Sequence, residues 1–225
     1  MGPQLQPQPP QPPQAPQPEE PQLQRPQQVL PDQQLGELLQ ALPQRLQACW
    51  RDGAASTADA LALFDALPPV PPEALLGHWR GEGFATGHRL DGLLEACHWQ
   101  GKRFDSLEDV HPLVFRGPGD RLLCLDPAWM GAGMALLMRL PGLNARRSGR
   151  LFQWLSPLLA TRRSRARLRA TAYRGQVSAT MLYDQLPIND VFRRVDADTL
   201  FGLMDCKGDP VPFFFILRRC LAPSP

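Results

Sequence analysis

The residues best placed to hold a polar ligand or move a proton gather in the C-terminal third of the chain. They are Asp184, Asp190, Asp196, Asp198 and Asp205, with Tyr183, Arg193 and Lys207 close by. Two readings stay open. Aspartate favours turns and strand ends, and exposed ion pairs are common on any surface, which would make the group structural. Alternatively, Tyr183, Asp184, Asp190 and Arg193 meet at the mouth of a cavity, where they bind a polar head or act as acid and base. No nucleophile–base pair, Gly-rich phosphate loop or Gly-x-Ser-x-Gly elbow accompanies them, so no catalytic residue is assigned.

The remaining chemistry-bearing residues exclude more than they suggest. Cys49, Cys97, Cys124, Cys206 and Cys220 are odd in number, scattered and without Cys-x-x-Cys spacing. That argues against a disulfide framework or a zinc site and fits a reducing, cytoplasmic setting. His78, His88, His98 and His111 show no i, i+4 pairing on a helix, so no metal is expected. Arginine is the exception: Arg139, Arg146, Arg147, Arg150, Arg162, Arg163, Arg165, Arg167 and Arg169 lie in a stretch without a single acid. This reads as a solvated basic face. With Phe152, Trp154, Leu155, Leu158 and Leu159 beside it, it also reads as a surface for anionic membranes over Arg146–Arg169. Nucleic acid is not expected, because exposed stacking aromatics along a basic groove are missing.

The elements that must position these groups follow from the pattern. The chain has 225 residues, a net charge of +2 and 26 prolines. Twenty of the first thirty residues are Pro or Gln. Residues 1–30 therefore form a disordered tail that cannot offset its ordering entropy, with Pro-x-x-Pro spacing as its one handle for a partner protein. No basic and apolar leader opens the chain, and no run of about 18 apolar residues suggests a membrane span. Residues 31–55 carry an amphipathic helix and linker after Asp32, with Leu35, Leu38, Leu39, Leu42 and Leu46 on one face and Pro43 as a break. Ser56 and Asp59 form a capping pattern for a second helix whose stripe is Ala60, Leu61, Phe64 and Leu67. This pair packs outside the main domain or plugs one end of it.

Residues 56–126 supply the first part of a β domain. A strand covers His78–Phe84, a short helix or lid falls within 87–104, and a hairpin turns at Gly117-Pro118-Gly119-Asp120. Residues 127–162 form an apolar, Arg-rich insertion. Residues 163–221 complete the domain. Arg163, Arg165, Arg167 and Arg169 alternate with Ser164, Ala166, Leu168 and Ala170, and Val177–Asp184, Thr199–Asp205 and Pro212–Arg219 are further strands. The fold class is mainly β: one antiparallel barrel, because closure removes sheet edges.

Several short motifs carry a resemblance. Leu76-Gly77-His78-Trp79-Arg80-Gly81-Glu82, Gly101-Lys102-Arg103-Phe104 and His111-Pro112-Leu113 resemble the GXWXG family. Tyr173-Arg174-Gly175, Met181-Leu182-Tyr183-Asp184, Pro187-Ile188, Asp190, Phe192-Arg193, Met204-Asp205 and Lys207-Gly208 resemble its companion domain of unknown function. More distantly, Gly77-x-Trp79 on a first strand with Arg218 or Arg219 ending the last is similar to calycin barrels: lipocalins, fatty-acid-binding proteins and nitrobindins. That resemblance implies a calycin-like barrel in which the arginine stacks on Trp79 where first and last strands meet. It implies non-enzymatic binding of a small hydrophobic or amphipathic ligand, a fatty acid or phospholipid. Trp79, Met181, Tyr183, Asp184, Asp190, Arg193, Phe213, Phe215 and Arg218 are the expected ligand-binding residues. Val177, Ala179, Met181 and Tyr183 would line the interior by alternation. Nitrobindins share the Trp79-Arg80-Gly81-Glu82-Gly83 run and bind haem through a histidine on a late strand. No histidine follows His111 here, and no cofactor is expected. An enzyme using Tyr183, Asp184 or Asp190, an interaction module using tail and Arg face, and a haem-binding barrel remain the alternatives.

Overall fold

The computed structural model describes residues 37, 39–128, 152 and 154–220. The Pro/Gln tail, Leu35, Leu38, the apolar run from Trp129 to Leu140, Leu151, and Arg139, Arg146, Arg147 and Arg150 lie outside the described residues.

Among the described residues, nine antiparallel strands dominate: β1 Gly77–Phe84, β2 Trp99–Phe104, β3 Val110–Arg116, β4 Leu122–Cys124, β5 Ala166–Tyr173, β6 Gln176–Tyr183, β7 Ile188–Arg194, β8 Thr199–Cys206 and β9 Phe213–Arg219. They hydrogen-bond in the order β2-β1-β9-β8-β7-β6-β5-β3-β4, and β2 also pairs with β3. That pairing closes eight strands into a ring, with β4 appended on β3.

The ring has two packed faces. Inside lie Trp79, Trp99, Phe104, Leu113, Phe115, Leu168, Ala179, Met181, Phe192, Phe213, Phe215 and Leu217. Outside, Phe84, Val191, Phe201, Leu203, Phe214 and Ile216 form a second cluster, covered by Ala60, Leu63, Phe64 and Leu67. Both faces of β7, β8 and β9 are therefore buried, which explains why their sequence lacks a clean polar alternation. On β5, by contrast, Ala166 and Leu168 are buried while Arg167 stays exposed, as the period of two predicts.

The covering helix, Thr57–Ala66, begins as its sequence dictates. The Ser56 side chain accepts from the Asp59 amide, and Asp59 supplies a first-turn acid. Leu63 joins Ala60 and Phe64 as fully buried, while Leu61 is only partly buried against the same cluster. Pro43 splits the amphipathic stretch as expected: residues 39–41 are helical before it, and it stands at the N-cap of the next helix, Gln44–Asp52. The pair covers the outer face of the sheet and does not plug an end. The hairpin at Gly117–Asp120 forms as predicted. Of residues 87–104, only Leu93–Ala96 is helical; Trp99–Phe104 is strand.

Candidate functional site

A cavity of about 310 Å³ lies inside the ring. It opens where the β6–β7 and β8–β9 turns gather, since Leu186, Pro187, Ile188, Cys206 and Phe213 all reach it. A segment between β1 and β2 covers that end with Leu90, Leu93 and Leu94. Local chemistry builds this cover. One oxygen of Asp91 accepts from the amides of Thr86, Gly87 and His88 at 2.8–2.9 Å, which curls the chain. Glu95 accepts from the Gly83 amide at 2.6 Å. Arg89 then donates twice to Asp209 in the β8–β9 turn, at 3.1 and 3.0 Å, with His88 at 3.4 Å from the same oxygen.

The walls are apolar, and their polar centre is a buried ion pair. Lys102 Nζ lies 2.7 Å from Asp190 Oδ2, and both side chains are almost wholly buried. Lys102 also donates to the Pro112 carbonyl at 3.2 Å. Its ammonium sits 4.9 Å from the Phe215 ring centroid, 5.6 Å from Trp99 and 5.9 Å from Tyr183. Aromatic faces replace part of the hydration such a cation loses. Tyr183 donates its hydroxyl to Asp190 Oδ2 at 3.4 Å. Burial pushes the Asp190 carboxyl above the usual carboxylate range, and Lys102 and Tyr183 pull against that shift. Burial, then the Asp190 charge, pushes the Tyr183 phenol well up.

Two polar atoms of this wall have no partner: Asp190 Oδ1 and Trp99 Nε1. A lone buried acceptor and a lone buried donor are costly, and such sites call for an explanation.

A bulge puts Lys102 there. Register shifts flank Gly101 in the β2–β3 pairing, so Trp99 and Lys102, three residues apart, both face inward. An extra strand residue re-aims the side chains after it. Gly101 sits at φ +127°, and a Cβ there would collide with the Trp79 carbonyl and lie 2.6 Å from the Gly81 amide nitrogen. Only glycine allows this turn of the strand.

Of the residues expected from sequence, Tyr183, Asp190, Phe213 and Phe215 line the cavity. Met181 is in the inner core beside them but does not line it. Asp184 pairs with Arg167 at 3.5 Å at the surface. Arg193 faces the opposite side of β7, where it lies over the Phe64 ring at 4.6 Å and donates to the Tyr173 carbonyl. With burial the main cause, its pKa falls to about 10. Arg218 is exposed and pairs with Glu82 at 3.0 Å. It is Arg219 that stacks on Trp79, 4.2 Å from the ring, and it donates to the Ala74 and Leu76 carbonyls. Trp79, whose Nε1 donates to the Leu75 carbonyl at 2.7 Å, belongs to that seam and does not line the cavity. Asp198 joins the seam through Arg219 at 3.1 Å.

Lys102 and Trp99 were missed as site residues, although Lys102 stands in a quoted family motif. The readable signal was a glycine breaking an aromatic-flanked run, Trp99-Gln100-Gly101-Lys102-Arg103-Phe104. Among the arginines of the basic stretch, Arg165, Arg167 and Arg169 are paired with Asp126, Asp184 and Glu108. Among the described residues, no cluster of three His, Cys, Asp or Glu side chains suits a metal, and no helix is long and apolar enough to cross a membrane.

Two family models match the chain: the GXWXG protein over residues 62–119 and a domain of unknown function, DUF4334, over residues 164–219. A crystal structure of a protein from Thermomonospora curvata is similar at 34% identity with a TM-score of 0.58, covering 82% of this chain and 99% of that one. The chain belongs to the GXWXG family. No curated protein matches it.

The geometry explains the motif of this GXWXG protein. Trp79 anchors the seam with Arg219, while Gly81 leaves a gap that the Trp99 ring fills. A Cβ on Gly81 would lie within 2.7 Å of three atoms of that ring. The motif thus sets the position of one cavity wall as well as the seam, and it reaches the site through Trp99 rather than through its own tryptophan.

Proposed function

We propose that the ring is a closed, calycin-like barrel that holds a small hydrophobic or amphipathic ligand in its cavity without converting it. The observation that carries this is the cavity itself. Its volume stands at the lower end of the range for ligand pockets, about 300–1,000 Å³, and a few convergent polar groups sit in an apolar wall. That size suits a single chain or a compact ring system better than the two chains of a phospholipid. The Trp79–Arg219 stack joining first and last strands supports the calycin comparison.

Native mass spectrometry of the full chain purified from cells, followed by organic extraction, tests the reading. A stoichiometric small molecule is expected, and its loss in Met204→Trp, which fills the cavity. A bare mass from several hosts, with no thermal shift from a panel of apolar compounds, overturns it.

A second reading has one observation behind it. Asp190 is held through Oδ2 by two donors while Oδ1 is without a partner, and its pKa is raised. A carboxylate so held can take a proton from carbon next to a carbonyl. Deuterium exchange into a bound ketone in D2O, abolished by Asp190→Asn, is the expected sign of that activity.

A further inference from the structure

We infer that residues 154–163 dock the protein on an anionic membrane surface, with Trp154 and Leu158 entering the interface and Arg162 and Arg163 meeting lipid head groups. This stands apart from the cavity reading. The segment is apolar on the side it buries and on the side it shows. Phe152 and Ser156 are buried, and Phe152 packs against Phe115 at 5.1 Å between ring centroids. Trp154 and Leu158, each two residues further on, are 78% and 80% exposed, the highest values for any large apolar side chain among the described residues. Exposed apolar side chains gathered in this way mark a surface that meets something other than water. The backbone fixes their position. The Leu159 carbonyl accepts from the Asp126 amide at 3.1 Å, and the Thr161 amide donates to the Cys124 carbonyl at 2.8 Å. The segment is thus tied to the end of β4, where Leu122 adds a side chain that is 58% exposed.

Charge selects what the surface meets. Arg162 and Arg163 are exposed, and neither guanidinium makes an ion pair among the described residues. Asp126, Asp184 and Glu108 are already held by Arg165, Arg167 and Arg169. The chain has no acid from residue 127 to residue 183, so residues 129–151, with four more arginines, bring no counter-charge of their own. A second copy would set the same basic surface against itself. An anionic bilayer satisfies both halves of the surface. Tryptophan and leucine settle at the level of the head groups, and arginine binds the phosphates beside them. A nucleic acid offers phosphates but no hydrocarbon for Leu158.

Flotation of the full chain with vesicles of phosphatidylcholine, with and without phosphatidylserine, tests this. Each arginine brought to an anionic leaflet is worth roughly fivefold in partitioning. Binding to the serine-containing vesicles is therefore expected to be at least tenfold tighter, and to weaken between about 0.1 M and about 1 M NaCl as the Debye length shrinks. Arg162→Glu with Arg163→Glu should remove most of that preference. Brominated phosphatidylcholine in the same vesicles should quench tryptophan fluorescence, and Trp154→Phe should lose most of the quenching; an attachment through charge alone would leave it unchanged. All three side chains are exposed, so the variants should keep the wild-type Tm. Equal binding to both vesicle types, wild-type binding by the double arginine variant, or quenching that survives Trp154→Phe overturns the inference. Tighter binding to a single-stranded RNA oligonucleotide than to the anionic vesicles overturns it in favour of nucleic acid.

Discussion

Gly81→Ala isolates the contact that joins the family motif to the cavity. Gly81 does not occupy the left-handed region, so alanine meets no backbone penalty there. What it meets is the Trp99 indole, three atoms of which would lie within 2.7 Å of the new Cβ. Carbon atoms pack at about 3.5–4.0 Å, so the ring must retreat by roughly 1 Å. It cannot do so freely, because Phe215 stands edge-on at 5.9 Å between centroids and Lys102 rests over both rings. Overpacking of this kind costs about 1–3 kcal/mol. For a chain of this length each kcal/mol lowers Tm by about 2–4 °C. Urea denaturation of four proteins checks the reasoning: wild type, Gly81→Ala, Trp99→Phe and the double variant. Phenylalanine lacks the outer ring atoms that collide, so Gly81→Ala should be almost neutral in that background. A Gly81→Ala cost that is the same in both backgrounds, or below about 0.5 kcal/mol in the wild type, refutes the collision as the reason for glycine.

Three further outcomes are expected. Lys102→Met and Asp190→Leu should each lose about 3–5 kcal/mol in urea denaturation by leaving one buried charge alone, whereas the double variant should recover much of that loss. The Asp209 carboxyl is held below its ordinary value; burial opposes this, while the Val211 amide, Arg89 and His88 outweigh burial. Its folded value thus lies below its unfolded one, so its contribution is present above the usual carboxylate range and is lost as pH falls through the folded value. Scanning Tm from pH 7 to pH 3 should show wild type converging on Asp209→Asn. Cys97, with its thiol pushed up to about 11 by burial and then by Glu95, should resist a thiol reagent at pH 7.5 while exposed Cys220 reacts; equal rates in the native protein count against the buried placement.

What the sequence revealed and what it hid divide along a physical line. The Ser56 cap, the Arg–Ala–Leu alternation of β5 and the Gly117–Asp120 turn depend on neighbours a few residues away, and each was legible. β2 and β7 were not, and these two strands carry the buried pair. In β7, Asp190 and Arg193 are buried on opposite faces, so polar residues stand where a strand pattern expects apolar ones. In β2, the bulge at Gly101 breaks the period of two just before Lys102. Lys102 and Asp190 are 88 residues apart, and nothing local to either announces the other. The choice between Arg218 and Arg219 was likewise a matter of register, settled by the pairing of Trp79 with Arg219.

The seam made by Arg219 has a consequence for how the chain acquires its structure. Arg219 bonds to the Ala74 carbonyl across 145 residues of sequence. During synthesis β1 can find β2 early, but its other edge must wait for β9. Until then that edge is an open template for another chain. Contacts this distant also form slowly, because loop-closure entropy is lost before they reward it. Truncation just before Arg219 should therefore prolong the interval in which nascent chains pair with one another, and show itself first as lowered soluble yield.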